Sequence, residues 1–555
     1  MLRNSLLVLL VIMSNMVFGQ WSNDPEENLD VFPEYDLLDA SGGFTSTGCR
    51  DGSVYITAYS RDSTLLVTLL NAEGISFWRN EIIQIENPTP YAFISFSDSQ
   101  DNLFLCYARH YGSQDGFDWN IVKINKQGEF CWGENGIAIP FPYRRQNVTP
   151  YKWTVNENGD VFLFSMQSNT NIATDKYYAV YRIDKNGNLT WGKDGLVLDD
   201  MENPWQYVPQ NIIATSDGGI LVMYQQDIGP YHNMYYEIHV RKYDKEGNRL
   251  WEKDPMIYQG YSSYNSVRTI SDQNDGLYFT CSSSVIQHVD KNGSYLWEGE
   301  GANLGNLIYW SPRPEILGIN TSGDLLLKFQ NFYKESSRDL RPFIQIVKKS
   351  GELALPVGGE AISIPEYQEY DIDYSNKIVS KVLGDSVYYF YSYPIKSHGV
   401  LESEIMCYPT TFNQIPLWKK SLTIAKGLET RTSFSSTPFV NNQSIVVWVS
   451  TLKYGVVKIK AQNIHSDGTL GNKFSVVNEI TDPISLTVYY DPSNRRIVIP
   501  EEWTSFSYQM VSMTGNVIIN GKNASQISIP NVQSGIYIIR FSDGLEAFAQ
   551  KIFIQ

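Results

Sequence analysis

The sequence predicts an all-β protein: about eight copies of a four-stranded antiparallel unit, followed by a small β-sandwich. Three observations carry this expectation. A tight-turn motif ending on Trp returns along the chain, a second turn motif returns in register with it, and almost no stretch shows the apolar period of a helix.

The first motif reads YRIDKNGNLTW at 181–191, VKINKQGEFCW at 122–132, RKYDKEGNRLW at 241–251 and QHVDKNGSYLW at 287–297. Asn125, Asp184, Asp244 and Asp290 each stand three residues before a Gly (Gly128, Gly187, Gly247, Gly293), and Trp132, Trp191, Trp251 and Trp297 stand four residues after it. The Asp or Asn side chain caps the following amides, and Gly takes the left-handed conformation that closes the turn. Each copy is therefore expected to join two antiparallel strands. Weaker copies carry Gly74 with Trp78, Gly351, Trp418 and Gly468.

The second motif places turn residues before a short apolar strand, as in RDGSVYITAY (50–59), ENGDVFLFSM (157–166) and SDGGILVMY (216–224). Its eight copies are spaced 48 to 61 residues apart. Each unit then reads strand, tight turn, strand, longer loop, strand, tight turn, strand. A unit of that size cannot bury both of its faces alone, and radial packing of neighbours covers them. Such a unit is a propeller blade. The Trp after each turn suits the space between blades, its indole N–H free to find a carbonyl. The count is eight blades, or seven if the first or last copy is not a blade, and Trp21–Gly43 is a candidate closing strand.

The body resembles β-propeller repeat proteins in general. Its turns depart from sialidase-type Asp boxes, which have a closer Asp-x-Gly spacing. Quinoprotein blades also end on Gly-x-x-x-Trp, but carry one more residue before the Gly, and the adjacent cysteines of many quinoprotein dehydrogenases are missing. No cofactor and no metal are expected.

The chain ends give the address. MLRNSLLVLLVIMSNMVFGQ has a basic residue, an apolar run too short to anchor in a bilayer, and small residues ending at Gly19, as a signal peptide does. Residues 1–19 are read as that peptide, 20–43 as an N-terminal segment, 44–483 as the repeats and 484–555 as a separate domain. This last domain holds five acidic and five basic residues, so the excess negative charge lies upstream. Its short alternating runs, among them GNVIIN and GIYIIRF, read as a sandwich. YQMVSMTGNVI (508–518) followed by ISIPNVQSGIYIIRFSDGLEAFAQKIFIQ (527–555) resembles the C-terminal sorting domain of type IX secretion substrates of Bacteroidota. The resemblance implies turns at Gly515 and Gly535, a turn-strand through Tyr537 and a terminal strand through Lys551. It also implies handling by the type IX machinery and a sortase, with a secreted or surface location.

Composition excludes some functions. A formal charge of −16 without a basic tract argues against a nucleic-acid partner. The five cysteines form no CxxC pair and are expected to be buried small hydrophobes, with at least one unpaired. No HExxH, GxSxG or phosphate loop is present. GEGANLG (299–305) lacks the dinucleotide-loop spacing and is read as a turn. DIDYSN (371–376) lacks the Gly and distal Glu of a calcium loop and is read as solvated.

Meander geometry puts the tight turns at one end of the units and the second-to-third-strand loops and unit-to-unit segments at the other. The second end carries Tyr143 with Arg144 and Arg145, Trp205 and Tyr207, His232, Tyr261, Trp310 and Arg313. Aromatic and Arg side chains on loops of a rigid scaffold carry binding energy. These residues are the candidate ligand-binding set for a glycan, peptide or surface partner. A polysaccharide-degrading or modifying enzyme with central carboxylates is the alternative, and the sequence names no catalytic residue.

Overall fold

The structure is a computed structural model. It describes residues 21–471 and 489–554 apart from 39–42, 79–81, 87, 111–116, 140–148, 169–175, 199–206, 228–234, 262–266, 281–283, 300, 306–313, 333–339, 366–377, 398–399, 428, 453–454, 492–494, 499–505, 513–516, 524–525, 531, 533–534 and 543–546. The signal-peptide segment 1–19 lies outside these residues. The chain divides into two compact units, Met1–Asn472 and Lys473–Gln555.

In the first unit the described strands form eight four-stranded antiparallel sheets. Sheet 1 runs Phe44–Gly48, Val54–Tyr59, Thr64–Leu70 and Ile83–Glu86 in spatial order, a plain meander. Sheets 2 to 7 repeat it, opening on Pro88–Ser97, Thr149–Val155, Tyr207–Ala214, Arg268–Ser271, Glu315–Ile319 and Ile378–Leu383. Sheet 8 takes Thr430–Ser436, Gln443–Thr451 and Val457–His465 from late in the chain, and its fourth strand, Leu29–Asp30, from the N-terminus. Leu29 pairs with Ala461 and Asp30 with Lys460.

Each strand row alternates two apolar faces, because every sheet is covered on both sides by its neighbours. The core is accordingly divided into clusters, each shared by two consecutive sheets. One joins Tyr55 and Leu69 of sheet 1 to Leu105 and Val122 of sheet 2. Another joins Val54 and Ile56 of sheet 1 to Val447 and Ile459 of sheet 8, with Trp21 and Phe32 between them. First strands of neighbouring sheets also touch, that of sheet 1 meeting those of sheets 2 and 8, so the first strands are the innermost. Eight such sheets fit a propeller.

The Asp-x-x-Gly turns form as the sequence predicts. Asp184 Oδ1 accepts the amides of Asn186 and Asn188 at 2.9 and 2.8 Å, and Gly187 has φ +92°. The residues after the turn depart from the expectation. The residue pair closing the turn is a single bridge, Ile183 with Leu189, and the Trp leaves the sheet. The fourth strand of sheet 3 starts only at Leu196 and has two residues, opposite Val180 and Ala179. The next sheet draws the indole out of the ladder, Trp191 donating to the Lys245 carbonyl there. GEGANLG also departs from its reading as a turn alone, since Ala302–Asn303 is the fourth strand of sheet 5.

The second unit packs a three-stranded sheet against a four-stranded one, sharing Ile497, Ile527, Met510, Ile539, Phe541 and Ile554. In it, Gly535 opens the strand Gly535–Ser542 and pairs with Ile554, Tyr537 is buried, and Lys551 lies in the terminal strand opposite Ile538. Gly515 lies outside the described residues.

Candidate functional site

At the tight-turn end of the first unit, turns of neighbouring sheets are joined by hydrogen bonds. Gly128, Gly187, Gly247, Gly293, Gly351 and Gly468 each lie under an indole of the preceding sheet, and four of these indoles donate to the carbonyl two residues before the Gly: Trp78 to Lys126 at 2.9 Å, Trp132 to Lys185 at 3.2 Å, Trp191 to Lys245 at 3.2 Å and Trp297 to Lys349 at 3.1 Å. A depression of about 460 Å³ lined by Phe77, Trp78, Ile82, Ile83, Lys126, Gln127 and Gly128 lies at one of these contacts. The second-motif turns add another seam. Asp275 of sheet 5, at φ +64°, accepts the amide and hydroxyl of Ser216 in sheet 4 at 2.6 and 2.7 Å. Asp101 of sheet 2, at φ +60°, accepts the amide of Arg50 at 2.7 Å and pairs with Lys126 at 2.8 Å. Both Asp residues occupy positions where Gly is expected, and their bonds to the neighbouring turn offset the strain.

The opposite end, where the connecting segments enter the innermost strands, is built differently. Three pairs back from the tight turn, the innermost strand offers Thr45 opposite Thr57, Lys152 opposite Phe164, Asn211 opposite Met223, Arg268 opposite Thr280, Glu315 opposite Lys328 and Ser380 opposite Tyr389. Sheet 2 has Ile94 at this level. A polar tier thus crosses six sheets whose second and third strands are largely apolar. Asn211 donates to the hydroxyl of Thr269 in the next sheet.

Two of the described carboxylates at this end, Glu315 and Glu429, are tied to cations. Glu315 bonds Lys328 at 2.9 Å, and Lys328 also donates to the Ile378 carbonyl at 2.8 Å. Glu429 accepts from Lys460 at 2.5 Å and from Ser450, beside Arg431, which is buried and donates to the Lys426 carbonyl at 2.8 Å. Burial pushes the Glu429 carboxyl up, but the bonds from Lys460 and Ser450 outweigh it and hold the group below the ordinary carboxylate range. A group so held is a poor proton donor near neutral pH. Lys152 and Lys381 are shifted the other way from a surface lysine: burial pulls both amines down, Arg268 lowers Lys152 further, and for Lys381 Glu315 opposes and Lys328 adds to the effect. Among the described residues no group of three or more His, Cys, Asp or Glu side chains could hold a metal ion.

Tyr207 is the first residue of its strand, opposite Gln226, and Tyr261 the last of its strand, opposite Tyr235, so both lie at this same end of sheet 4. Tyr143, Arg144, Arg145, Trp205, His232, Trp310 and Arg313 lie outside the described residues, as do DIDYSN and most of the second-to-third-strand loops. Lys152 and Lys381 on the innermost strands were missed in the sequence, whereas Arg268 stands with Tyr261 among the aromatics and arginines of the unit-to-unit segments. The signal for the two lysines was a charged residue inside an otherwise strand-like run, a few positions before each turn. Of the cysteines, Cys49, Cys106 and Cys407 are buried and free, whereas Cys131 is exposed because it precedes Trp132 outside the ladder. Cys281 lies outside the described residues. Burial raises the thiols of Cys49 and Cys106 to about 12.

Residues 487–555 match the family model described as secretion system C-terminal sorting domain. The tail is a type IX secretion sorting domain. It marks the chain for export to the cell surface or medium. No curated protein matches the chain. Among solved structures, the WD40 domain of SCAP from fission yeast is similar at 9% identity and TM-score 0.39, covering 79% of this chain and 92% of that one. The polysaccharide lyase Uly1 is similar at 11% identity and TM-score 0.35, covering 78% and 92%. PorZ, a bacterial surface component of the type-IX secretion system of Porphyromonas gingivalis, is similar at 9% identity and TM-score 0.22, covering 94% and 99%. Among the described residues no helix is long and apolar enough to cross a membrane.

Proposed function

We propose that this exported chain is a binding protein: a closed eight-bladed propeller whose connecting-segment end holds a glycan, peptide or surface partner, with the tail delivering it to the type IX machinery and a sortase. The observation that supports this most is the polar tier of the innermost strands, where Lys152, Arg268 and Glu315 put charged side chains opposite otherwise largely apolar second strands. The ion-paired state of Glu315 and Glu429 favours binding over acid–base hydrolysis. The test is co-sedimentation of the purified mature chain with a panel of insoluble polysaccharides, with the supernatant assayed for new reducing ends. Depletion without release supports the binding reading, release of sugar ends replaces it with the enzymatic one, and the absence of both refutes a glycan ligand.

A further inference from the structure

Strand-borne cations in this protein are generally paired. Lys123 meets Asp98 at 3.4 Å, Arg182 meets Asp160 at 2.7 Å, Arg241 meets Asp254 at 2.6 Å, Lys458 meets Asp30 at 3.2 Å and Lys460 meets Glu429 at 2.5 Å. A charge removed from water requires such a partner. Lys152, Arg268 and Lys381 depart from the pattern. Lys152 and Lys381 are half-buried, and Arg268 opens to solvent. Among the described residues none of the three has a carboxylate within ion-pair distance, and all three stand on innermost strands, in sheets 3, 5 and 7. Glu315 acts on Lys381 only through space, its own ion pair being with Lys328.

Lys152 and Arg268 stand at the same level, three pairs from their tight turns, with Asn211 of the intervening sheet between them. The two like charges are close enough to disfavour one another. Among the described residues the one carboxylate at this level of the innermost strands is Glu315, and it is already paired with Lys328. The hydroxyl of Ser380, at the same level of sheet 7, is buried without a hydrogen-bond partner among the described residues. Lys, Arg, a carboxamide and a hydroxyl are the groups that recognise a carboxylate or sulfate.

We propose that the inner tier around Lys152, Asn211 and Arg268, with Lys381, is an anion subsite that receives the acidic groups of a polyanionic saccharide, carboxylate or sulfate. This rests on the glycan-binding reading and narrows it to acidic chains. The three cations, which have no carboxylate partner among the described residues, find their counter-charge in the ligand.

The experiment is titration calorimetry of the full mature chain with an oligogalacturonate, a chondroitin sulfate oligosaccharide, a neutral galactan oligosaccharide and sodium sulfate. Expected are binding of at least one acidic oligosaccharide, weak or absent binding of the neutral one, and a loss of about tenfold for each of Lys152→Gln and Arg268→Gln, with Lys152→Arg retaining affinity. A preference for the carboxylated or the sulfated chain names the acidic group, and sulfate alone binding as tightly as the oligosaccharides overturns the saccharide part. Should a variant fold poorly, the salt dependence of the wild-type chain decides: affinity unchanged from about 50 mM to about 500 mM salt overturns the proposal. Neutral galactan binding as tightly as the acidic chains overturns it while leaving the glycan reading intact. No binding by any saccharide overturns both.

Discussion

Trp21 donates its indole N–H to the carbonyl of Ala72 at 2.8 Å, and its ring lies over Gly74. Ala72 is the residue two before the turn Gly, the same acceptor position used by Trp78, Trp132, Trp191 and Trp297 in their neighbours. The last repeat has its turn at Gly468 but no Trp after it. Trp21, preceding the N-terminal strand of sheet 8, takes that place from the other end of the chain, so the contact between sheets 8 and 1 repeats those four.

Replacing Trp21 should therefore be costly. Trp21→Ala is expected to destabilise the first unit by about 3 kcal/mol, since it empties a buried ring site, and Trp21→Phe by about 1 kcal/mol less, since it keeps an aromatic ring and loses the hydrogen bond. Thermal and urea unfolding would check this. A Trp21→Ala chain as stable as wild type would mean that the N-terminal segment is not docked in solution.

Glycines under an indole should be less replaceable than glycines in open space. A Cβ on Gly74 would come within 2.7 Å of Trp21 and one on Gly351 within 2.8 Å of Trp297, whereas one on Gly133 meets nothing within 4 Å, all three having positive φ. Gly133→Ala is expected to cost about 1 kcal/mol of backbone strain, and Gly351→Ala clearly more because the indole must also shift. Equal losses in urea midpoints would show that the ring does not press on the turn.

Asp275 separates strain from bonding. Asp275→Ala keeps the left-handed backbone and loses both bonds to Ser216, so a loss of about 1–2 kcal/mol is expected. Asp275→Gly loses the same bonds but relieves the φ of +64°, so it should be milder. The order Gly less stable than Ala would argue against strain at this turn.

Two ionisable groups make stability rise with pH, in different ranges and for opposite reasons. The folded-state carboxyl of Glu429 lies below its ordinary value, so its contribution is present above that value and is lost as pH falls through the folded one. Glu429→Gln should lower stability at neutral pH and flatten the loss measured between about pH 5 and about pH 3. The amine of Lys152 is also held below its ordinary value, by burial first and then by Arg268. The fold there disfavours the charged form, and stability rises as pH climbs through that range. Lys152→Met is expected to raise the melting temperature of the ligand-free chain at neutral pH, the reverse of its expected effect on acidic-saccharide binding. A lower melting temperature would mean that a partner for this amine exists in the apo protein.

Thiol labelling gives a simple check on the packing. In native buffer Cys131 is expected to react with a thiol reagent, while Cys49, Cys106 and Cys407 react only after unfolding. Fast reaction of Cys106 would contradict its burial.

The repeats, their turns and the sorting tail were legible in the sequence because each rests on local chemistry: Asp and Gly fix a turn within five residues, and alternating apolar runs fix strands on either side. The same local rules do not reveal what holds the second-motif turns at Asp101 and Asp275. Their left-handed conformations are held by a neighbouring sheet some fifty residues away in sequence, about one repeat period. The place of the Trp between units was legible too, but tertiary structure alone decided which carbonyl the indoles of Trp78, Trp132, Trp191 and Trp297 reach, since that acceptor belongs to the next sheet and not to their own turn. It also decided that Leu29–Asp30 completes a sheet begun at Thr430, and that Lys152, Asn211 and Arg268, from three different repeats, share one level. Register sets that alignment, and register is a property of paired strands and neighbouring sheets that no single run of residues contains.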